Sequence, residues 1–213
     1  MSSDFGPLGG RAHAAESRGA PLCLAFTNTV HDFGASPLED DLNSYADFVA
    51  WARRQAVVDA ATSRRLLASA RLSERAAETA LARARMSRSS LYRIFSARVN
   101  GRELPAADLT SINAAIRASL AGAELAEDGN GFSWRWPAGT ALDTSILWPI
   151  ARSAARLLTS DDLDRVLECN GKTCTWLVLD TSKNHSRKFC SALGCGNRTR
   201  VRRHYERVRA AKG

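Results

Sequence analysis

The chain has little lysine, histidine or aromatic content. Its 213 residues include 30 lysines and arginines, yet the lysines are only Lys172, Lys183, Lys188 and Lys212. Histidines number four, and aromatic residues make up 7%. No apolar run approaches 18 residues, which excludes a membrane-spanning helix. No basic segment followed by an apolar stretch opens the chain, so the expectation is a cytoplasmic protein without a membrane partner. P-loop, GxGxxG and HExxH patterns are all missing. His13 falls in a glycine-rich leader, His31 beside Asp32 in a turn, and His185 and His204 near the C-terminus, so no Ser-His-Asp set is visible. These absences point away from an enzyme.

Acid is missing from one region in particular. Residues 181–213 hold ten lysines and arginines against a single acid, Glu206, a balance of +9. The whole chain carries +8, so residues 1–180 balance to −1. A neutral body is therefore joined to a concentrated cation, the pattern of a polyanion-binding tail.

The five cysteines are as unevenly placed. Cys23 stands alone and reads as a small core hydrophobe, whereas Cys169, Cys174, Cys190 and Cys195 fall within 27 residues. An odd total without a secretion signal argues against a disulfide framework. Two Cys-x4-Cys pairs, fifteen residues apart, suit tetrahedral thiolate coordination of one structural Zn²⁺. The segment offers only Trp176, Leu177, Val178, Leu179, Phe189 and Leu193 as substantial core, too little to fold on apolar burial alone. Structural zinc contributes roughly 10–16 kcal/mol in comparable peptides. Two local disulfides, four buried thiols or a redox switch are the competing readings, and His185 is a weaker substitute ligand.

The remaining pattern is mostly helical. Residues 1–20 read as a disordered leader, 21–160 as a helical sensor or dimerisation domain, and 161–213 as a zinc finger ending in a basic helix. Pro21–Val30 suits a buried strand or a short helix. Ser44 is placed to cap one helix, Thr62 or Ser63 a second, and Ser73 a long third that stops at Asn100-Gly101. A further helix follows Leu104-Pro105. Residues 124–126 and 132–136 flank a glycine-bearing turn as a hairpin, and Asp143 or Thr144 begins another helix. The fold class is α+β, mostly α, with a four-cysteine treble-clef or ribbon-like finger.

After Cys195, Gly196 supplies a turn and Asn197 a helix cap. On the helix from 198, Val201, Tyr205 and Val208 share a stripe expected to pack onto the zinc unit. Arg200, Arg203 and Arg207 form the opposite stripe, with Arg202 and Arg209 on a flank. Such a helix fits the major groove of double-stranded DNA, where arginine meets guanine edges and phosphates. Arg187, Lys188, Asn197 and Arg198 complete the candidate nucleic-acid-binding set. A short helix reads few base pairs, which favours a homodimer on paired half-sites. RNA or a ribosome is the alternative polyanion, an adaptor for an acidic protein is a third reading, and a solvated charged face is the bland one. A small-molecule effector pocket in the body would draw on Asn28, Thr29, His31, Arg93, Trp148 and Arg152, each equally readable as a core or capping residue.

The stretch Cys169-Asn-Gly-Lys-Thr-Cys174-Thr-Trp176, continued through Arg187-Lys-Phe189-Cys190 to Cys195-Gly196-Asn197-Arg198, closely resembles the CGNR zinc finger. Upstream, Leu22-Cys-Leu24-Ala-Phe26-Thr-Asn28-Thr29 resembles the opening of the ABATE domain that usually precedes it. Leu91-Tyr92-Arg93-Ile-Phe95, Ile112-Asn113 and Trp148-Pro149-Ile-Ala-Arg152 resemble later blocks of that domain. The resemblance implies a stress-related bacterial transcription regulator that binds DNA through the finger. Two positions depart from the family: Ala25 stands where an Asp is usual, and Phe189 where a Trp is favoured.

Overall fold

In a computed structural model of the chain, the described residues are 20–35, 39–121, 123–127, 129, 131–135, 142 and 144–210. Residues 1–19 of the expected leader, and Asp143 as a helix start, lie outside them. Among the described residues, six helices and a hairpin form the body: α1 (Leu22–Thr27), α2 (Tyr45–Arg54), α3 (Ala60–Leu72), α4 (Glu74–Val99), α5 (Ala106–Ala121), β1 (Glu124–Glu127), β2 (Phe132–Arg135) and α6 (Thr144–Leu158). A 3-10 turn (Asp161–Arg165) leads to β3 (Val166–Glu168) and β4 (Leu177–Leu179). One turn of π-helix (Ala192–Gly196) then runs into α7 (Asn197–Ala210).

Local chemistry sets most of these boundaries. Ser44 and Asp47 form a reciprocal capping box on α2. The Ser73 hydroxyl accepts from the Ala76 amide to open α4. Gly101 takes the left-handed conformation just beyond that helix, at φ 61°. The cap of α3 differs from expectation: Asp59, not Thr62 or Ser63, accepts from the Thr62 amide at 2.7 Å. A carboxylate there satisfies an orphan amide and also opposes the positive end of the helix dipole. Pro21–Val30 resolves as a short helix rather than a strand. In the first hairpin Glu124 faces Arg135 and Glu127 faces Phe132; in the second Val166 faces Leu179 and Glu168 faces Leu177.

α1 is the centre of the core. Leu22, Leu24 and Phe26 are buried among Phe48 and Trp51 of α2, Leu91, Ile94 and Phe95 of α4, and Ile146 and Ile150 of α6. The Phe26 ring lies 5.2 Å from Trp51 and 6.1 Å from Phe48, centroid to centroid. Cys23 is wholly buried here, as its reading as a hydrophobe requires. Val166 of β3 and Leu177 of β4 belong to this same apolar cluster. The second hairpin is thus held by the body's core.

Candidate metal centre and basic helix

The strands β3 and β4 place the first cysteine pair. Cys169 directly follows β3, and its amide donates to the Trp176 carbonyl at 2.8 Å, extending the ladder by one step. The intervening loop folds back through a bond from the Cys174 amide to the Gly171 carbonyl. Gly171 has no room for a side chain: a Cβ would stand 3.0 Å from both Cys174 Cβ and Cys195 Sγ. The second pair arrives on another strand-like segment, where the Asn170 amide donates to the Lys188 carbonyl at 2.9 Å. The Cys190 amide donates to Cys169 Sγ at 3.3 Å. Ser191 then caps the π turn by accepting from Gly194, and that turn delivers Cys195.

All four sulfurs lie within 4.8 Å of one another. Cys174 and Cys190 are 3.9 Å apart. A tetrahedral zinc with Zn–S bonds of about 2.3 Å has S···S edges of about 3.8 Å, so the donor set fits one Zn²⁺. The thiols alone are poorly disposed to ionise together. Burial and the neighbouring sulfurs push Cys174 well up and Cys190 up to about 11. For Cys195 burial acts in the same direction and is the largest single effect, but the Arg198 guanidinium donating to its sulfur at 3.1 Å, together with hydrogen bonds from the other three cysteines, outweighs it and the pKa falls. A divalent cation is the counter-charge this cluster calls for, and four thiolates leave it no open position.

The centre is docked onto the helical body by named contacts. Asn28, just after α1, donates to the Leu177 carbonyl at 2.8 Å and accepts from the Leu177 amide at 2.9 Å. The Trp176 indole donates to the Val30 carbonyl, and the Phe33 amide to the Thr175 hydroxyl. Phe33 stacks on Tyr92 of α4 with centroids 3.8 Å apart. The Tyr92 hydroxyl in turn donates to Glu168 at 2.7 Å; burial and that carboxylate raise its pKa to about 12.

Residues 20–161 match the ABATE family, described as a putative stress-induced transcription regulator, and residues 165–208 match the CGNR zinc finger. The chain belongs to the ABATE family. No curated protein matches it. The four cysteines are the site for the single structural Zn²⁺ of its CGNR finger.

Two arginines of the candidate nucleic-acid set serve the finger itself. Arg187 donates to the carbonyls of Phe189 and Cys190, while its amide donates to the Asp180 carboxylate. Asp180 is buried; the Ser182 hydroxyl, with the Ser182 and Arg187 amides, holds its pKa down at about 2 against the effect of burial. Arg198 is turned toward Cys195. Asn197 has helical backbone angles and is the first residue of α7 rather than its cap. Ser191 has already opened the helical path six residues earlier, so the chain needs no new start at 197.

The apolar stripe of α7 is not packed onto the zinc unit as its periodicity suggested. Val201, Tyr205 and Val208 are 46%, 64% and 37% exposed, and Thr199 is the one buried residue of the helix. A 14-residue helix is about 21 Å long, and the small metal centre covers only its first turn. The cations along it are mostly free of acid: Arg202 lies 3.7 Å from Glu206, and Arg200 reaches the Ala192 carbonyl. Among the described residues no ion pair or side-chain bond engages the guanidiniums of Arg203 and Arg209.

The six candidate pocket residues of the ABATE body divide among three places. Asn28, Thr29 and His31 lie at the finger junction, where His31 contacts Asp41 at 3.2 Å and its ring lies 5.7 Å from that of Trp176. Arg93 grips Asp108 with two bonds of 2.6 and 2.7 Å, and Arg152 stacks over Trp148. The chain also holds a buried ion pair that sequence reading passed over. Arg88, 3% exposed, donates twice to Asp40 at 2.7 and 2.5 Å and once to the Thr29 hydroxyl at 2.8 Å. Its signal was positional: Arg88 falls on the helical stripe of Ala84, Leu91 and Phe95.

Proposed function

We propose that this ABATE-family chain is a zinc-dependent, DNA-binding transcription regulator of the cytoplasm, not an enzyme. The observation that carries this reading is α7, a helix exposed along nearly its whole length, fixed at one end to the metal centre. It bears six arginines and one acid between 197 and 210. Arg200, Arg203 and Arg207 face the major groove, with Arg202, Arg209 and Lys188 on phosphates. Arg187 and Arg198 hold the finger in shape. The body supplies a homodimer contact or senses a small-molecule effector, and two copies address paired half-sites.

Fluorescence anisotropy on duplex DNA across a salt series tests this. Six phosphate contacts, three from each copy, would give a log–log slope of about −5, and Arg209→Gln, which removes one from each copy, should flatten it by about 1.8. Chelation of zinc should abolish binding. Unchanged affinity in the chelated protein, or preferential displacement by structured RNA, refutes the DNA assignment.

A further inference from the structure

The four zinc-site cysteines are not equivalent, and the difference assigns a modification site. Cys169 and Cys195 are buried at 5% and 4% exposure, whereas Cys174 and Cys190 are half-buried. Hydrogen bonds reach three of the sulfurs, Cys169 Sγ from the Cys190 amide, Cys195 Sγ from Arg198 and Cys174 Sγ from the Trp176 amide, so burial is what sets the two pairs apart. Cys174 and Cys190 form the solvent-facing edge of the cluster, with their sulfurs 3.9 Å apart. We propose that this edge is the site of reversible oxidation by a hydroperoxide, which joins Cys174 to Cys190.

The chemistry balances on the residues present and that one oxidant. One thiolate of the edge attacks the peroxide's distal oxygen; the O–O bond breaks, and a sulfenic acid forms as the alkoxide leaves to become an alcohol or water. The other thiolate displaces that oxygen as water after taking up solvent protons, and the S–S bond forms. Two sulfurs lose two electrons in all, and the peroxide gains them. Half the site's donors are then tied to each other, and Cys169 with Cys195 are too few for a structural site.

The consequence follows from how each half of the finger is held. Up to Cys190 the segment is bound to the body without help from metal. Leu177 and Val166 lie in the core, Asn28 clamps Leu177, Asn170 bonds Lys188, and Asp180 bonds the Arg187 amide. The new disulfide lies wholly within this anchored half. Beyond it, α7 packs chiefly on the π turn, and that turn meets the anchored half through Cys195, beside Gly171, and Gly196, beside Phe189. Oxidation therefore lets residues 191–210 go while β3 and β4 stay docked.

The test uses the wild-type, zinc-loaded chain treated with cumene hydroperoxide, read by a colorimetric zinc chelator, disulfide mapping by mass spectrometry and hydrogen exchange. The expected result is one zinc released per Cys174–Cys190 disulfide, loss of protection over 192–208 and retained protection over 166–168 and 177–179. A dithiol with added zinc restores the starting pattern. Release accompanied by any other pairing, a disulfide that retains zinc, zinc that stays bound under excess peroxide, or loss of protection in β3–β4 overturns the proposal. None of these readouts involves DNA, so failure of the DNA reading leaves the outcome interpretable.

Discussion

Replacing Asn28 with alanine isolates the contact that joins the metal centre to the helical body. Its amide side chain satisfies both backbone groups of Leu177, a residue with no solvent exposure, at 2.8 and 2.9 Å. Alanine removes both partners together and leaves a buried N–H and a buried C=O. Each orphaned group costs about 1–3 kcal/mol. Asn28 is only partly buried, so water can recover some of the loss, and the expected destabilisation is about 3 kcal/mol. For a chain of this size, each 1 kcal/mol lowers Tm by about 2–4 °C, which gives a fall of about 6–12 °C by circular dichroism. Hydrogen exchange supplies the local readout. The Leu177 amide should exchange about a hundredfold faster or more in Asn28→Ala, since every 1.4 kcal/mol is tenfold. A Tm within about 2 °C of wild type together with an unchanged Leu177 exchange rate, against the roughly 3 kcal/mol expected from two orphaned groups, would show that the clamp does not hold the junction.

Asp40→Asn removes the charge opposite a guanidinium that is 3% exposed. It should cost about 3–5 kcal/mol in chemical denaturation, and replacing both partners by apolar residues should cost less than that single change. Acid should act through the same pair: Arg88 holds the Asp40 pKa below its ordinary 3.8 although burial opposes this, and Arg93 does the same for Asp108. Depressed folded-state values mean the stabilisation is complete above about pH 4 and is lost as pH falls through them, so an acid titration of Tm should be flat above that point and drop below it. Gly171→Ala drives a Cβ to 3.0 Å from Cys195 Sγ; overpacking of about 1–3 kcal/mol predicts zinc affinity lower by about 5- to 150-fold in chelator competition, and equal affinity would contradict the geometry.

What could be read from the sequence was local chemistry. Ser44, Ser73 and Gly101 mark helix ends through bonds that span two to four residues, and the four cysteines announce their metal by type and spacing. What could not be read was pairing across distance. Asp40 and Arg88 are 48 residues apart, and Arg88 sits in a helix so rich in arginine and alanine that it passes for a solvated face. Asn28 and Leu177 are 149 apart, and nothing in either neighbourhood names the other. The α7 stripe shows a different limit. Periodicity divides a helix into faces, but which face is covered depends on the size of what lies beside it.

The β3–β4 hairpin decides whether the two modules can stand apart. In sequence it belongs to the finger, matched over 165–208, yet Val166 and Leu177 complete the apolar interior of the body. A finger grafted onto an unrelated protein would arrive with that apolar face bare and Leu177 deprived of Asn28. A body passed on without its finger would have a hole in its centre. The two modules are therefore separable only at a cost in stability to both.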